Sequence, residues 1–155
     1  MTIVHPSFSD YVIMVTVGGP LGALAMYGVV GILNSAGWVK GNIILAIGDL
    51  FYRGKNAFWR GAIIHLGTSM AFAPLYLVIL FRLSLTTLSR ALVGGMFIGF
   101  FHGIFVTLGL VWVASNRPML PEFTGARLPL ALMHWVGHIA YGAMMGCIVS
   151  FLLRQ

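Results

Sequence analysis

Charge occurs at few positions in this 155-residue chain, and its spacing constrains the fold more than any other feature. Between Asp10 and Lys40 lie 29 uncharged residues, between Arg60 and Arg82 lie 21, between Arg90 and Arg117 lie 26, and between Arg127 and Arg154 another 26. About 20 apolar residues carry a helix across the hydrocarbon core of a bilayer. Each run is long enough for one crossing and too short for two. The spacing predicts membrane helices over 11–33, 61–81, 91–113 and 129–153, within one transmembrane domain covering residues 1–155. A membrane barrel is disfavoured, because its strands need about ten residues of alternating polarity and these runs are continuously apolar. Composition agrees: 59% of residues are hydrophobic and 8% charged, against about 25% charged in a soluble domain. The fold class expected is all-α, an integral membrane four-helix bundle.

A fifth apolar segment, 43–52, contains Asp49 and is too short to span. It is expected to lie at the interface or to re-enter the membrane between the first and second spans. Trp38, Phe51, Tyr52 and Trp59 would anchor this region at headgroup depth. Four spans put both termini on one side. Loops 34–60 and 114–128 carry Lys40, Arg53, Lys55, Arg60, Arg117 and Arg127, while the other side has only Arg82, Arg90 and Arg154. The positive-inside rule then places both termini outside, in the periplasm for a protein of a bacterial inner membrane. The net charge of +6 is read as orientation and attraction to anionic lipid, not as nucleic-acid binding. The first ten residues lack the basic stretch of a secretory signal, and the single cysteine, Cys147, excludes an intrachain disulfide.

Glycine is the second signature, with 20 residues. Gly95, Gly99 and Gly103 form two overlapping GxxxG patterns in the third span. Gly18 and Gly22 form one in the first, and Gly142 and Gly146 one in the fourth. Small residues four apart let helix backbones approach closely where packing, not the hydrophobic effect, drives association. The plain expectation is packing within the bundle; the sharper one is a docking face for another subunit. Pro20 and Pro74 fall inside spans and should adjust helix shape, with Thr16, Thr68 and Ser69 close enough to satisfy nearby backbone groups.

No Asp, Glu, Lys or Arg lies inside the four spans, but His65, His102, His134 and His138 do. At about 1.5 Å of rise per residue, the four fall in one half of the membrane, grading from the loop 34–60 side toward the midplane. His134 and His138 are four apart and share a helix face, which Tyr141 and Met145 extend. His102 lies three residues after Gly99 and therefore faces a close helix contact. Imidazoles on facing helices at matched depth are what an axially ligated haem b or a metal ion requires; a chlorin needs only one. The plainer reading is hydrogen bonding across the bundle, with Ser69 one turn from His65. His5, near the terminus, is read as a surface residue. No dedicated metal-ligand set is assigned, and Met144 and Met145 read as gap fillers before copper ligands.

Catalytic signatures are missing. There is no CxxCH, HExxH, Walker loop or GxSxG, and no intramembrane carboxylate for a proton relay.

From Gly61 onward the chain resembles an uncharacterised family of small bacterial inner-membrane proteins with four predicted spans. The resemblance is carried by GAIIHLGTSMAFAPLY at 61–76, ALVGGMFIGFFHG at 91–103, NRPMLPEFTG at 116–125 and HWVGHIAYGAMMG at 134–146, about two-thirds of the chain. It implies fold and membrane location and brings no assigned reaction. The function expected first is a non-enzymatic accessory or structural subunit of a larger membrane complex, respiratory or photosynthetic, with other membrane subunits and lipid as partners. The alternative is a haem- or chlorin-binding electron-transfer or pigment protein using the four histidines. A small transporter or channel ranks third, with Thr68, Ser69, Thr107 and the histidines as its polar path.

Overall fold

The computed structural model describes residues 6–38, 42–51, 56–116 and 127–153, without the side chain of Arg127. Its regular elements are all helical. Four helices are long and apolar enough to cross a membrane: α1 (Phe8–Ser35), α3 (Ala57–Arg82), α4 (Leu88–Ser115) and α5 (Arg127–Leu152), with the short α2 (Ile43–Phe51) between α1 and α3. The chain is thus a multi-pass membrane protein of the all-α bundle class. The helices run a few residues past the expected span limits at most ends. His5, Lys40, Tyr52, Arg53, Lys55, the connection NRPMLPEFTG beyond Asn116, and Arg154 lie outside the described residues.

Local chemistry sets the helix ends and irregularities. Ser7 caps α1 in a reciprocal box with Asp10: its hydroxyl accepts from the Asp10 amide, and the Asp10 carboxylate accepts from the Ser7 amide at 2.8 Å. Within α1, Met14–Gly18 widens to a π turn just ahead of Pro20, where a proline ring crowds the carbonyl four residues back. Thr16 donates to the Val12 carbonyl at 2.7 Å. Pro74 lies inside the continuous α3. The Thr68 and Ser69 hydroxyls bond carbonyls upstream, those of Ile64 and Leu66, and not the Met70 carbonyl from which Pro74 withholds its usual donor.

The helix α5 is central, packing along α4 on one side and α1 on the other. The α4–α5 contact is a glycine seam in antiparallel register. A Cβ built on Gly95 would fall on the Gly142 carbonyl, and one on Gly142 would fall on the Gly95 carbonyl. Gly99 meets the His138 carbonyl, Gly103 meets Trp135 and His138, and Gly146 meets the Ala91 carbonyl. On α1, Gly18 faces Met145 and Gly22 faces the Tyr141 ring. All seven glycines of the predicted packing motifs make close contacts inside the chain.

The short α2 is buried instead of lying flat on the bundle. Ile43, Ile44, Ala46, Ile47 and Leu50 are buried, clustering with Val30 of α1 and with Leu130 and Met133 of α5. It pairs antiparallel with the start of α3 through Gly48, against the Ala57 carbonyl, and Gly61, against the Ile44 carbonyl. Trp38 and Trp59 are largely exposed at this end, as interfacial anchors are.

Candidate functional site

The predicted histidines meet. His65 of α3, His102 of α4, and His134 and His138 of α5 all border one cavity of about 140 Å³. Ile47 and Phe51 of α2 close it at one end, and Met26, Thr68, Phe72 and Tyr141 complete much of the wall. The spacing explains this assembly. His65, Ser69, Phe72 and Tyr76 recur at i, i+4, i+7 and i+11, one face of a helix. His134 and His138 form the matching face of α5. Close approach at Gly99 and Gly103 then brings His102 beside His138, with ring centroids 4.7 Å apart.

Each imidazole has one engaged and one unengaged nitrogen. His134 Nε2 and His138 Nε2 lie 3.1 Å apart and share a hydrogen bond, one donating and the other accepting. His102 Nδ1 shares a 2.9 Å hydrogen bond with the Tyr76 hydroxyl, and Phe72 packs on the His102 ring at 4.4 Å. The His65 ring engages the backbone of Ala23 on α1. That leaves His65 Nε2, His102 Nε2, His134 Nδ1 and His138 Nδ1 buried without a hydrogen-bond partner. Buried polar atoms are normally paired, so four such nitrogens around one space is a departure with a stated cost for each. Each ring thus has one nitrogen engaged, within α5 for His134 and His138 and across the bundle for His102 and His65, and one left open.

Ser69 does not serve His65. Its hydroxyl turns back to the Leu66 carbonyl, while its own carbonyl accepts from the Tyr141 hydroxyl at 2.6 Å. Tyr76 was not singled out from the sequence. Its three-turn spacing from His65 was the available signal, but its bond to His102 depends on how α3 and α4 face each other. A smaller cavity of about 60 Å³ adjoins the site, bounded by α2, α4 and α5, with His134 and Thr107 on its wall. On the other flank His102 also borders an apolar cleft of about 410 Å³ between α3 and α4, lined by Phe97, Phe101 and Phe105. Among the described residues no three of His, Cys, Asp and Glu are already placed to hold one metal ion.

No family model, curated protein or solved structure matches the chain.

Proposed function

We propose that this membrane protein is a small, non-enzymatic subunit of a larger inner-membrane assembly, and that its contribution is a ligand held in the four-histidine cavity. The observation that carries the reading is the convergence of four buried imidazoles, each with an unpartnered nitrogen, on one space. Among the described residues the cavity lining contains no carboxylate, lysine, arginine or cysteine, so these offer neutral donors and acceptors and no charged acid–base pair. Its volume is comparable with cavities of ~150 Å³ that hold a benzene-sized guest. With six basic residues against three, the positive-inside rule puts the α2 end, and with it the histidines, in the cytoplasmic half and both termini in the periplasm.

The glycine motifs no longer argue for docking, since all seven pack internally. Membership of a complex rests on the lack of catalytic motifs in the sequence. Transport is disfavoured by the apolar layer of Met14, Leu77, Leu80, Met145 and Val149, buried across the other half of the bundle.

A haem held between His134 and His138 does not fit, because their Nε2 atoms share a hydrogen bond at 3.1 Å and leave no slot for a macrocycle between them. A singly ligated chlorin is a second reading, favoured by one observation: His102, with its free Nε2, also borders the aromatic cleft that opens between α3 and α4. Purification from the native membrane tests both, with an absorption spectrum, elemental analysis and identification of co-purifying chains. A bound ion or small molecule lost on replacing the histidines, together with a stable partner, is the expected result. A Soret or chlorin band would favour the second reading. A monomer carrying nothing would overturn both.

A further inference from the structure

We infer that His134 and His138 are the nucleus of a first-row transition-metal site, completed by His102 and His65 from across the cavity. This inference rests on the reading of the cavity as a binding site and names the class of its ligand.

The first argument is a distance. An imidazole nitrogen binds a first-row cation at about 2.0–2.1 Å. Two such nitrogens on one ion therefore stand about 2.9 Å apart at a right angle and about 3.3 Å apart at the tetrahedral angle. His134 Nε2 and His138 Nε2 are 3.1 Å apart, between those limits. They stand one turn apart on one helix face, the arrangement by which a helix presents two histidines to one metal. His134 is 97% buried and His138 91% buried, so the pair is held by the bundle and not by solvent.

The second argument is the state of the other two rings. A metal-binding imidazole characteristically uses its second nitrogen to hold an oxygen that fixes ring and tautomer. His102 has this arrangement already: Nδ1 is tied to the Tyr76 hydroxyl and Nε2 is unpartnered. His65 likewise engages the Ala23 backbone and leaves Nε2 unpartnered. Neither stands at ligand spacing with the α5 pair, so binding requires side-chain rotation into the intervening cavity. The void of about 140 Å³ provides the room.

The third argument is selectivity. Among the described residues the wall offers imidazoles and hydroxyls and no carboxylate. Imidazole suits zinc, copper, nickel and iron, whereas magnesium and calcium require oxygen ligands. The site should therefore reject the alkaline-earth ions.

The test uses the full chain in detergent, stripped with a chelator and titrated with Co²⁺, whose ligand-field absorption reports coordination. One saturable equivalent per chain is expected, unaffected by excess Mg²⁺. Apparent affinity should fall at least 100-fold in His134→Gln and in His138→Gln, and roughly 10- to 100-fold in His102→Gln. His5→Gln, which removes a histidine from the terminus, should change nothing. X-ray absorption on the unmodified protein gives an answer independent of variant folding: two or more imidazole ligands support the site. One ligand or none, absence of saturable binding, or full binding in His134→Gln and His138→Gln would overturn it. If the chain from native membrane carries an organic molecule in the cavity and takes no Co²⁺, the metal inference fails and the cavity reading stands. If it carries nothing and takes no Co²⁺, both fail.

Discussion

The interior of the bundle is built in two ways, on either side of Tyr141. On one side Met14, Leu77, Leu80, Met145 and Val149 are closed off completely, and Tyr76 and Tyr141 meet edge to face at 5.0 Å. On the other side lie four imidazoles, a cavity and four unpartnered nitrogens. Both halves share the same glycine seam, with Gly95, Gly142 and Gly146 on the packed side and Gly99 and Gly103 beside the histidines. The cavity thus does not come from a loosening of α4 against α5. It comes from α3, which touches α4 only lightly, and from α2, which caps the space without filling it. The packed half and the seam hold the backbone, which leaves the other half free to carry polar groups that contribute little to stability.

The largest effect should come from breaking what the halves share. Gly142→Leu would drive a side chain into the Gly95 carbonyl. Backbone cannot rotate away as a side chain can, so α4 and α5 must separate. A loss of about 3 kcal/mol or more is expected, at the upper end of overpacking costs, read as a collapse of thermal stability in detergent. Gly109→Ala is the matching control. Nothing lies within 4 Å of a Cβ there, and a helical glycine replaced by alanine should gain up to about 1 kcal/mol. Equal damage from both would mean that the glycine seam does not hold α4 against α5.

A smaller effect should follow at the boundary between the halves. Tyr76→Phe keeps the ring in its packed position and removes the hydroxyl that His102 Nδ1 engages. The imidazole then has both nitrogens without a protein partner, since Nε2 has none already. The cost expected is about 1–3 kcal/mol, the price of an unsatisfied buried group. Thermal unfolding measures it, and a tautomer change in the His102 nitrogen NMR shifts would locate it. No change in either would remove Tyr76 from the site.

Much of this arrangement was legible in the charges and the repeats. Uncharged runs bounded by Arg60, Arg82, Arg90 and Arg127 placed α3, α4 and α5 to within a few residues, because length and hydropathy decide a membrane helix almost alone. The depth of each histidine followed from helical rise, and four side chains at similar depth in a narrow bundle have few ways to avoid one another. The pairings were not legible. Whether His65 would meet Ser69 or the Ala23 backbone depends on side-chain rotamers, and Ser69 preferred its own helix. That Tyr76 would reach His102 depends on the rotation of α3 about its axis, which periodicity leaves undetermined. The short α2 was equally ambiguous: eight uncharged residues around Asp49 fit a surface helix and a buried one alike, and the close Gly48–Gly61 contact decided the matter.

The smallest expected effect separates structure from function most cleanly. His138→Leu alone removes one partner of the Nε2 pair and leaves His134 buried with neither nitrogen engaged, so it should cost about 1–3 kcal/mol. His134→Leu/His138→Leu removes both partners together. Replacing a buried polar pair by apolar groups of similar size is close to neutral, so the double variant should fall within about 1 kcal/mol of the natural protein and above the single variant. The sign of that non-additivity is the measurement, taken from denaturant or thermal unfolding of all four proteins of the cycle. If the double variant instead loses as much as the two single variants summed, the histidines hold the helices together, and the contrast between the two halves is one of composition only. If it keeps its stability, their presence in the membrane owes little to packing and requires something that binds them.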